Sequence, residues 1–433
     1  MKQVIKQILL LVFIFNSFYV AAQDTLNLTL ENAISYALTN NKTLTNAKYL
    51  TDKSRAKILE TRATGLPQIN ASVDYNNFLG AEIELQLSEQ APPAVIAFNP
   101  TSSMKLNVSQ LIFSGNYFVG LELSKLALKT TELNYLKSEL DVKEQVSRSY
   151  SLILIAEKTL QIIIANKNYI QTIYEKTNNL AKAGIIEKYE ADKLSVMVSS
   201  VENAQRNAER QLEMAYNMLR FHLGLDSDSK IKLITLMQDI YQQDKFEAAL
   251  ITPFKIENNL DFQLLLSQEN IILKQVTFEK SSYLPTVAGY YSLTEKLLKP
   301  KFDMSPKNVI GLSMSVPILS GGLRKARVSQ ANINLDINNN NKELLTQQLS
   351  LQEKQLRFNL NNLLDQFESQ KRNVQVAKEI VDNISLKFQF GTASTLELTN
   401  ANSNYLSAEA NFVNLQFQLI DADIALRKLN GNL

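Results

Sequence analysis

The 433-residue chain contains no cysteine, no tryptophan and a single histidine, His222. Without cysteine there can be no disulfide, no thiolate metal site, no cysteine nucleophile and no lipid-modified cysteine behind a signal sequence. One histidine rules out a histidine-based catalytic triad and a multi-histidine metal centre. His222 itself, between Phe221 and Leu223, reads as a core or interface residue. Charge of one sign is missing as well: 45 Lys+Arg against 43 Asp+Glu leave no net field to draw in nucleic acid. No stretch reaches the roughly 18 to 20 uninterrupted apolar residues that a membrane helix requires. Carboxylate pairs such as Glu187 and Glu190 occur only on repetitive helical faces, where they read as surface charge and not as an acid and base sharing a pocket.

Proline is scarce and clustered. Its nine copies fall at Pro67 to Pro100, at Pro253 and at Pro285 to Pro317, and with only 12 glycines the segments 101–252 and 318–433 are almost free of helix breakers. Such spans are built from long helices. The first residues differ: Lys2 and Lys6 precede an apolar run from Ile8 to Phe15 and the small residues Ala21 and Ala22. That is the pattern of a secretory signal, residues 1–22, which marks the chain as exported.

The chain carries one pattern twice. Gly65-Leu66-Pro67 is answered by Tyr283-Leu284-Pro285, Leu111-Ile112-Phe113-Ser114-Gly115 by Pro317-Ile318-Leu319-Ser320-Gly321, and Ala183-Gly184 by Phe390-Gly391. The interval from Gly115 to Gly184 equals that from Gly321 to Gly391 within one residue. The first copy is longer only between Pro67 and Gly115, so the segment Leu79 to Ser103 is expected to be an exposed turn. The repeats divide the mature chain into residues 23–250 and 251–433.

Flanking each loop, residues alternate as in strands. Ile69, Ala71, Val73 and Tyr75 oppose Asn70, Ser72 and Asp74; Ile310, Leu312, Met314 and Val316 oppose Gly311, Ser313 and Ser315. Leu106 and Val108 mark a third strand, and Val287, Tyr291 and Leu293 a weaker fourth. Strands of about ten residues span a bilayer when tilted, but four cannot close a barrel whose minimum is about eight. An exported chain of this kind needs copies of itself to complete the barrel. After Gly321, Leu360, Phe367, Val374, Val381 and Phe388 recur every seventh residue beside Leu356, Leu363, Ala377 and Ile384, a coiled-coil seam. The first copy shows it less cleanly, in Leu126, Leu133 and Leu140 and later Ile173 and Leu180. Nearly 70 helical residues extend about 100 Å.

Taken together, Leu30-Glu31-Asn32-Ala33, the two Leu-Pro strand entries, Ile318-Leu319-Ser320-Gly321-Gly322, Gly391-Thr392 through Ala401 and the closing Leu429-Asn430-Gly431-Asn432-Leu433 make the chain resemble the TolC family of outer-membrane efflux channels. The resemblance implies a mainly α fold with a β-barrel portion: a homotrimer with a twelve-stranded outer-membrane barrel, four strands per chain, continued by a coiled-coil helical barrel into the periplasm. It implies an equatorial region around residues 224–255, a periplasmic adaptor and an inner-membrane transporter as partners, and a passive export duct with no enzymatic activity or cofactor.

Carried over residue by residue, the family's periplasmic aperture falls at Glu397 and Asn400, of which the first keeps the family's acid and the second does not. Glu190 matches the first-half acid. The family latch has a tyrosine and an arginine where this sequence has Phe388 and Ala393, so closure is expected to rest on packing. Gly184 and Gly391 mark the two turns expected to face the adaptor. Arg324-Lys325-Ala326-Arg327 reads first as a solvated face and second as a lipid head-group anchor. Two other readings remain: an exported structural coiled coil or adhesin, extractable without detergent, and an outer-membrane enzyme, which requires a convergent polar cluster. The cargo is open, and no methionine row marks a soft-metal path.

Overall fold

The computed structural model describes residues 25–86, 94–236, 239, 243–299 and 305–433; the expected signal, 1–22, lies outside the described residues. The fold is mainly helical with a minority of strands. Its contacts divide it into two compact units, one comprising residues 48–135 and 261–345, the other the residues up to 47 with 136–260 and 346–433.

The described elements, in chain order, begin with β1 (Leu26–Leu28), α1 (Leu30–Asn40), α2 (Lys42–Ala63), β2 (Gln68–Asn76), β3 (Glu82–Leu85), β4 (Ala94–Ala97) and β5 (Thr101–Ser114). They continue with α3 (Gly115–Lys182), α4 (Lys188–Leu223), β6 (Ile231–Leu233), α5 (Gln243–Ile251) and α6 (Leu260–Ser281). The last four are β7 (Thr286–Leu298), β8 (Asn308–Ser315), α7 (Leu323–Gln389) and α8 (Thr395–Leu429).

The unit formed by 48–135 and 261–345 is built on an antiparallel sheet of order β2-β5-β7-β8. Alternation fixes the register, because a slip by one residue would turn every side chain to the opposite face. Ile69 pairs with Val108, Val108 with Tyr291 and Tyr291 with Ile310, which makes a continuous apolar row across all four strands. The opposite face is polar: Lys105 Nζ lies 3.2 Å from Asp74 Oδ2, and the Ser292 hydroxyl donates to Asn107 Oδ1 at 2.7 Å. On the apolar face Ile310 is 84% and Leu312 75% exposed, unlike a sheet that packs on its own core. Tyr290 lies over Gly311 on the next strand, where an added Cβ would meet its hydroxyl at 2.7 Å; the ring fills what the glycine leaves open. Helices α2 and α6 and the early turns of α3 and α7 join through Ser54–Thr131 (2.9 Å), Thr130–Ser267 (2.7 Å) and Lys342–Glu269 (2.8 Å).

Two expectations need correction in this unit. The segment Leu79 to Ser103 is not a plain turn, since β3 pairs antiparallel with β4 inside it and β5 begins already at Thr101. The strand that looked weak, β7, runs 13 residues and bonds to neighbours on both sides. Gly289, Tyr290 and Thr294 had blurred its alternation.

In the other unit the expected seam of α7 is buried at Leu360, Leu363, Phe367 and Val381 and half-buried at Leu356, Val374, Ala377, Ile384 and Phe388. Leu360, Leu363 and Phe367 form a core with Leu415, Leu419 and Leu426 of α8 and Phe246 of α5, and the Phe367 and Phe412 rings lie 5.1 Å apart. Leu140 and Ile173 of α3 are buried as expected, but Leu180 is exposed because the helix ends within a turn of it. A short parallel pair, β1 with β6, was not foreseen; the Tyr150 hydroxyl donates to the Leu28 carbonyl at 2.9 Å. Ion pairs tie α3 to α8: Lys428 Nζ to Asp141 (2.6 Å) and Glu144 (2.5 Å), and Arg148 to Asp421. His222 sits in the last turn of α4, half-buried, and burial lowers its pKa. The Nδ1 atom of His222 meets no partner among the described residues.

Candidate periplasmic aperture

Two helix–turn–helix connections, α3 to α4 and α7 to α8, carry the candidate residues. Each first helix ends in a left-handed glycine, Gly184 at φ 74° and Gly391 at φ 73°. The same pair of hydrogen bonds closes both ends: Ile185 N–H to Leu180 O (3.0 Å) with Gly184 N–H to Ala181 O (3.0 Å), and Thr392 N–H to Lys387 O (2.9 Å) with Gly391 N–H to Phe388 O (3.0 Å). These are Schellman-type ends. A Cβ at either glycine would meet no atom within 4 Å, so the requirement is conformational and not spatial. Replacing either glycine by alanine is expected to cost about 1 kcal/mol through the positive φ alone, read as a fall in thermal midpoint without loss of assembly.

The return helices start differently. Ser394 caps α8 in a reciprocal box: Glu397 N–H donates to Ser394 Oγ at 3.2 Å, and Ser394 N–H donates to Glu397 Oε2 at 2.7 Å. The order Ser394-Thr395-Leu396-Glu397 is the capping-box sequence, a signal present in the chain that the reading by resemblance passed over. The backbone and hydroxyl of Ser394 hold the Glu397 carboxyl below its ordinary 4.5. Glu397 is exposed, and so is Asn400, one turn further on the same face. The acid thus has a structural partner within its own chain.

At the start of α4, Glu187 occupies the cap position without a side-chain hydrogen bond. Glu190, the matching third residue, reaches across instead. Its pKa is lowered, first by the Thr395 side chain of α8 and then by Lys193, whose Nζ donates to the Glu190 carboxylate at 3.2 Å. Lys193 also lies over the Tyr189 ring at 3.9 Å. Beneath this contact Ile173 of α3, Leu194 of α4 and Leu398 of α8 form a buried cluster against which Phe388 and Ile384 of α7 pack. All four helices meet there. The Phe388 side chain, where the resemblance puts a latch tyrosine, contributes packing and has no polar atom to offer. Thr395, Leu398, Leu194 and Ser394 were not singled out in the sequence, because their role depends on which faces the turns bring together.

Since the folded Glu190 pKa is depressed, its stabilising contribution is complete above the ordinary 4.5 and lost as pH falls through the folded value. Removing the donor in Thr395→Val is expected to move the Glu190 titration upward toward 4.5, which carboxylate-detected NMR can follow. Around the turns Phe390 is 80%, Ile185 68% and Leu396 61% exposed, an apolar tip. Among the described residues no group of His, Asp or Glu is arranged to hold a metal within one chain.

A profile of the outer membrane efflux protein family matches residues 33–225 and 255–432. The chain belongs to this family. It is similar to the outer membrane protein TolC of Vibrio cholerae, 20% identical over 388 residues that cover 88% of this chain and 86% of the relative. The TolC of Escherichia coli is 21% identical, with 88% and 78% covered. Among solved structures it shares the fold of VceC from Vibrio cholerae (TM-score 0.73, 16% identity, 93% and 96% covered) and of CmeC from Campylobacter jejuni (0.75, 17%, 93% and 85%). The open state of MtrE from Neisseria gonorrhoeae superposes at 0.72 with 17% identity, over 93% and 88% of the two chains. As a member of the outer membrane efflux protein family, the chain is an outer-membrane protein of the channel kind and not an enzyme.

Proposed function

We propose that three copies of this chain form a passive export duct of a tripartite efflux or secretion system, joined by a periplasmic adaptor and an inner-membrane transporter. The carrying observation is the open sheet: β2 and β8 each pair on one side only among the described residues, and the shared face between them is apolar and exposed. Exposed strand edges in one chain call for pairing, and in lipid every backbone group must be satisfied, so the sheet has to close. Edge β2 of one copy against edge β8 of the next closes three sheets into a twelve-stranded barrel. The duplicated order of elements, α2-β2-β5-α3-α4 and α6-β7-β8-α7-α8, supports descent from a repeated half and supplies the duct with two kinds of hairpin.

The aperture of this duct is placed at the two turns. Glu397 and Asn400 of three copies form its polar ring, the Phe388 cluster with the Glu190–Thr395 contact holds it shut, and the apolar tips at Gly184 and Gly391 receive the adaptor. Single-channel recording of the purified protein in a planar bilayer tests the reading. Stepwise cation-selective openings are expected for wild type, with selectivity reduced in Glu397→Ala, because three carboxylates in a narrow pore attract cations. A folded, assembled protein that never conducts overturns the duct; unchanged selectivity in the variant removes Glu397 from the pore and leaves it as a helix cap.

A further inference from the structure

We infer that the start of α7, with the linker before it and the end of α6, is a binding site for the head group of an anionic phospholipid, seated where the sheet gives way to the helices. The site combines three observations from one unit. The linker between β8 and α7 exposes Ile318 at 94% and Leu319 at 90%, two adjacent apolar side chains that are almost wholly uncovered. Immediately after it, once the left-handed glycines Gly321 and Gly322 have turned the chain, come Arg324, Lys325 and Arg327. Lys280, in the last turn of α6, adds a fourth cation.

These charges are unbalanced. Among the described residues no carboxylate lies within ion-pair distance of any of the four; the acid of this region, Glu279, accepts from Gln275 Nε2 at 3.1 Å. Arg324 is already oriented, its Nε donating to the Ser282 carbonyl at 3.1 Å and its guanidinium lying 5.9 Å from the Tyr283 ring centroid. The first turn of α7 holds no acidic residue, although a helix start disfavours cations and welcomes anions. A cluster that costs stability there without an internal partner is suited to an external anion. The apolar pair beside it identifies that anion as part of an amphiphile: Ile318 and Leu319 enter the acyl region while the cations meet the phosphate.

The other repeat supplies a contrast. Aligning Gly115 with Gly321 sets Phe118, Val119 and Leu121 opposite Arg324, Lys325 and Arg327. There Phe118 is exposed, its ring edge-on to Tyr117 (5.2 Å) and tilted against Phe113 (6.1 Å). One half offers an aromatic anchor and the other a basic anchor, the two side-chain classes that hold proteins at a membrane surface. With a formal net charge of +2 for the whole chain, general attraction does not account for a preference among lipids.

The inference rests on the barrel reading, so its test carries a readout for each. Delipidated wild-type protein, the triple variant Arg324→Gln/Lys325→Gln/Arg327→Gln, and Phe118→Ala are incubated with phosphatidylglycerol or phosphatidylcholine and the retained lipid is counted by native mass spectrometry. Conductance is recorded on the same preparations. Wild type is expected to retain phosphatidylglycerol about fivefold over phosphatidylcholine; the triple variant falls to parity while still conducting. Phe118→Ala holds less of both lipids at an unchanged ratio. Parity in a conducting wild-type preparation overturns the site alone, and parity in one that neither assembles nor conducts overturns the site together with the barrel. Complete displacement of the lipid by millimolar inorganic phosphate also overturns it, since the site then takes phosphate without the amphiphile.

Discussion

Leu312→Arg combined with Val73→Arg is expected to abolish insertion into the outer membrane while leaving the secreted chain helical. Both side chains lie on the apolar face, Leu312 75% and Val73 66% exposed, and in water an arginine at such a position costs almost nothing. In a barrel they point to lipid, where an arginine near the bilayer midplane costs about 2 to 4 kcal/mol. Three copies carry six such charges, far more than a marginally stable assembly tolerates. Membrane fractionation checks the outcome, with circular dichroism on the unincorporated chain. The paired control is Ser72→Arg with Ser313→Arg on the opposite face, which is expected to insert normally. If the apolar-face variant inserts as well as the control, this sheet does not meet lipid and the shared barrel fails with it.

The second large effect is expected at the tip. Leu398 is 1% exposed and lies at the centre of the cluster that joins α3, α4, α7 and α8. Leu398→Ala removes a buried leucine at a cost of about 2 to 5 kcal/mol, and adding Phe388→Ala strips the side chain by which α7 packs on the same cluster. The double variant is expected to show longer and more frequent openings in planar bilayers, at least about tenfold in open probability if the lost packing acts on the closed state. Thr395→Val, which removes the hydroxyl from the Glu190 carboxylate while keeping shape, is expected to act in the same direction more weakly. Variants that melt earlier but open as wild type does would make the cluster an ordinary core with no part in closure.

The comparison of the two turns explains why the tip was only half legible. Gly184 and Gly391 stand out in the chain because a long proline-free segment needs a left-handed residue to stop it. Glu190 and Glu397 are equally visible as the third residues of the return helices. What distinguishes them is their partners. Glu397 turns back onto Ser394 in its own helix, whereas Glu190, beginning a helix whose cap residue is another glutamate, crosses to Thr395. A local motif decides the first, and the approach of two hairpins decides the second.

By itself the sequence determined the export signal pattern, the four alternating strands, the long helices with their seam, the positions of the turns and the likeness to the efflux channels. Each of these is written in local periodicity or in a breaker residue, and local sterics and burial translate them directly into structure. Tertiary structure alone decided the order β2-β5-β7-β8 and the cluster of Phe388, Leu398, Leu194 and Ile173. Those depend on contacts between residues far apart in the chain. Periodicity tells which face of an element is apolar, but not which other face will cover it.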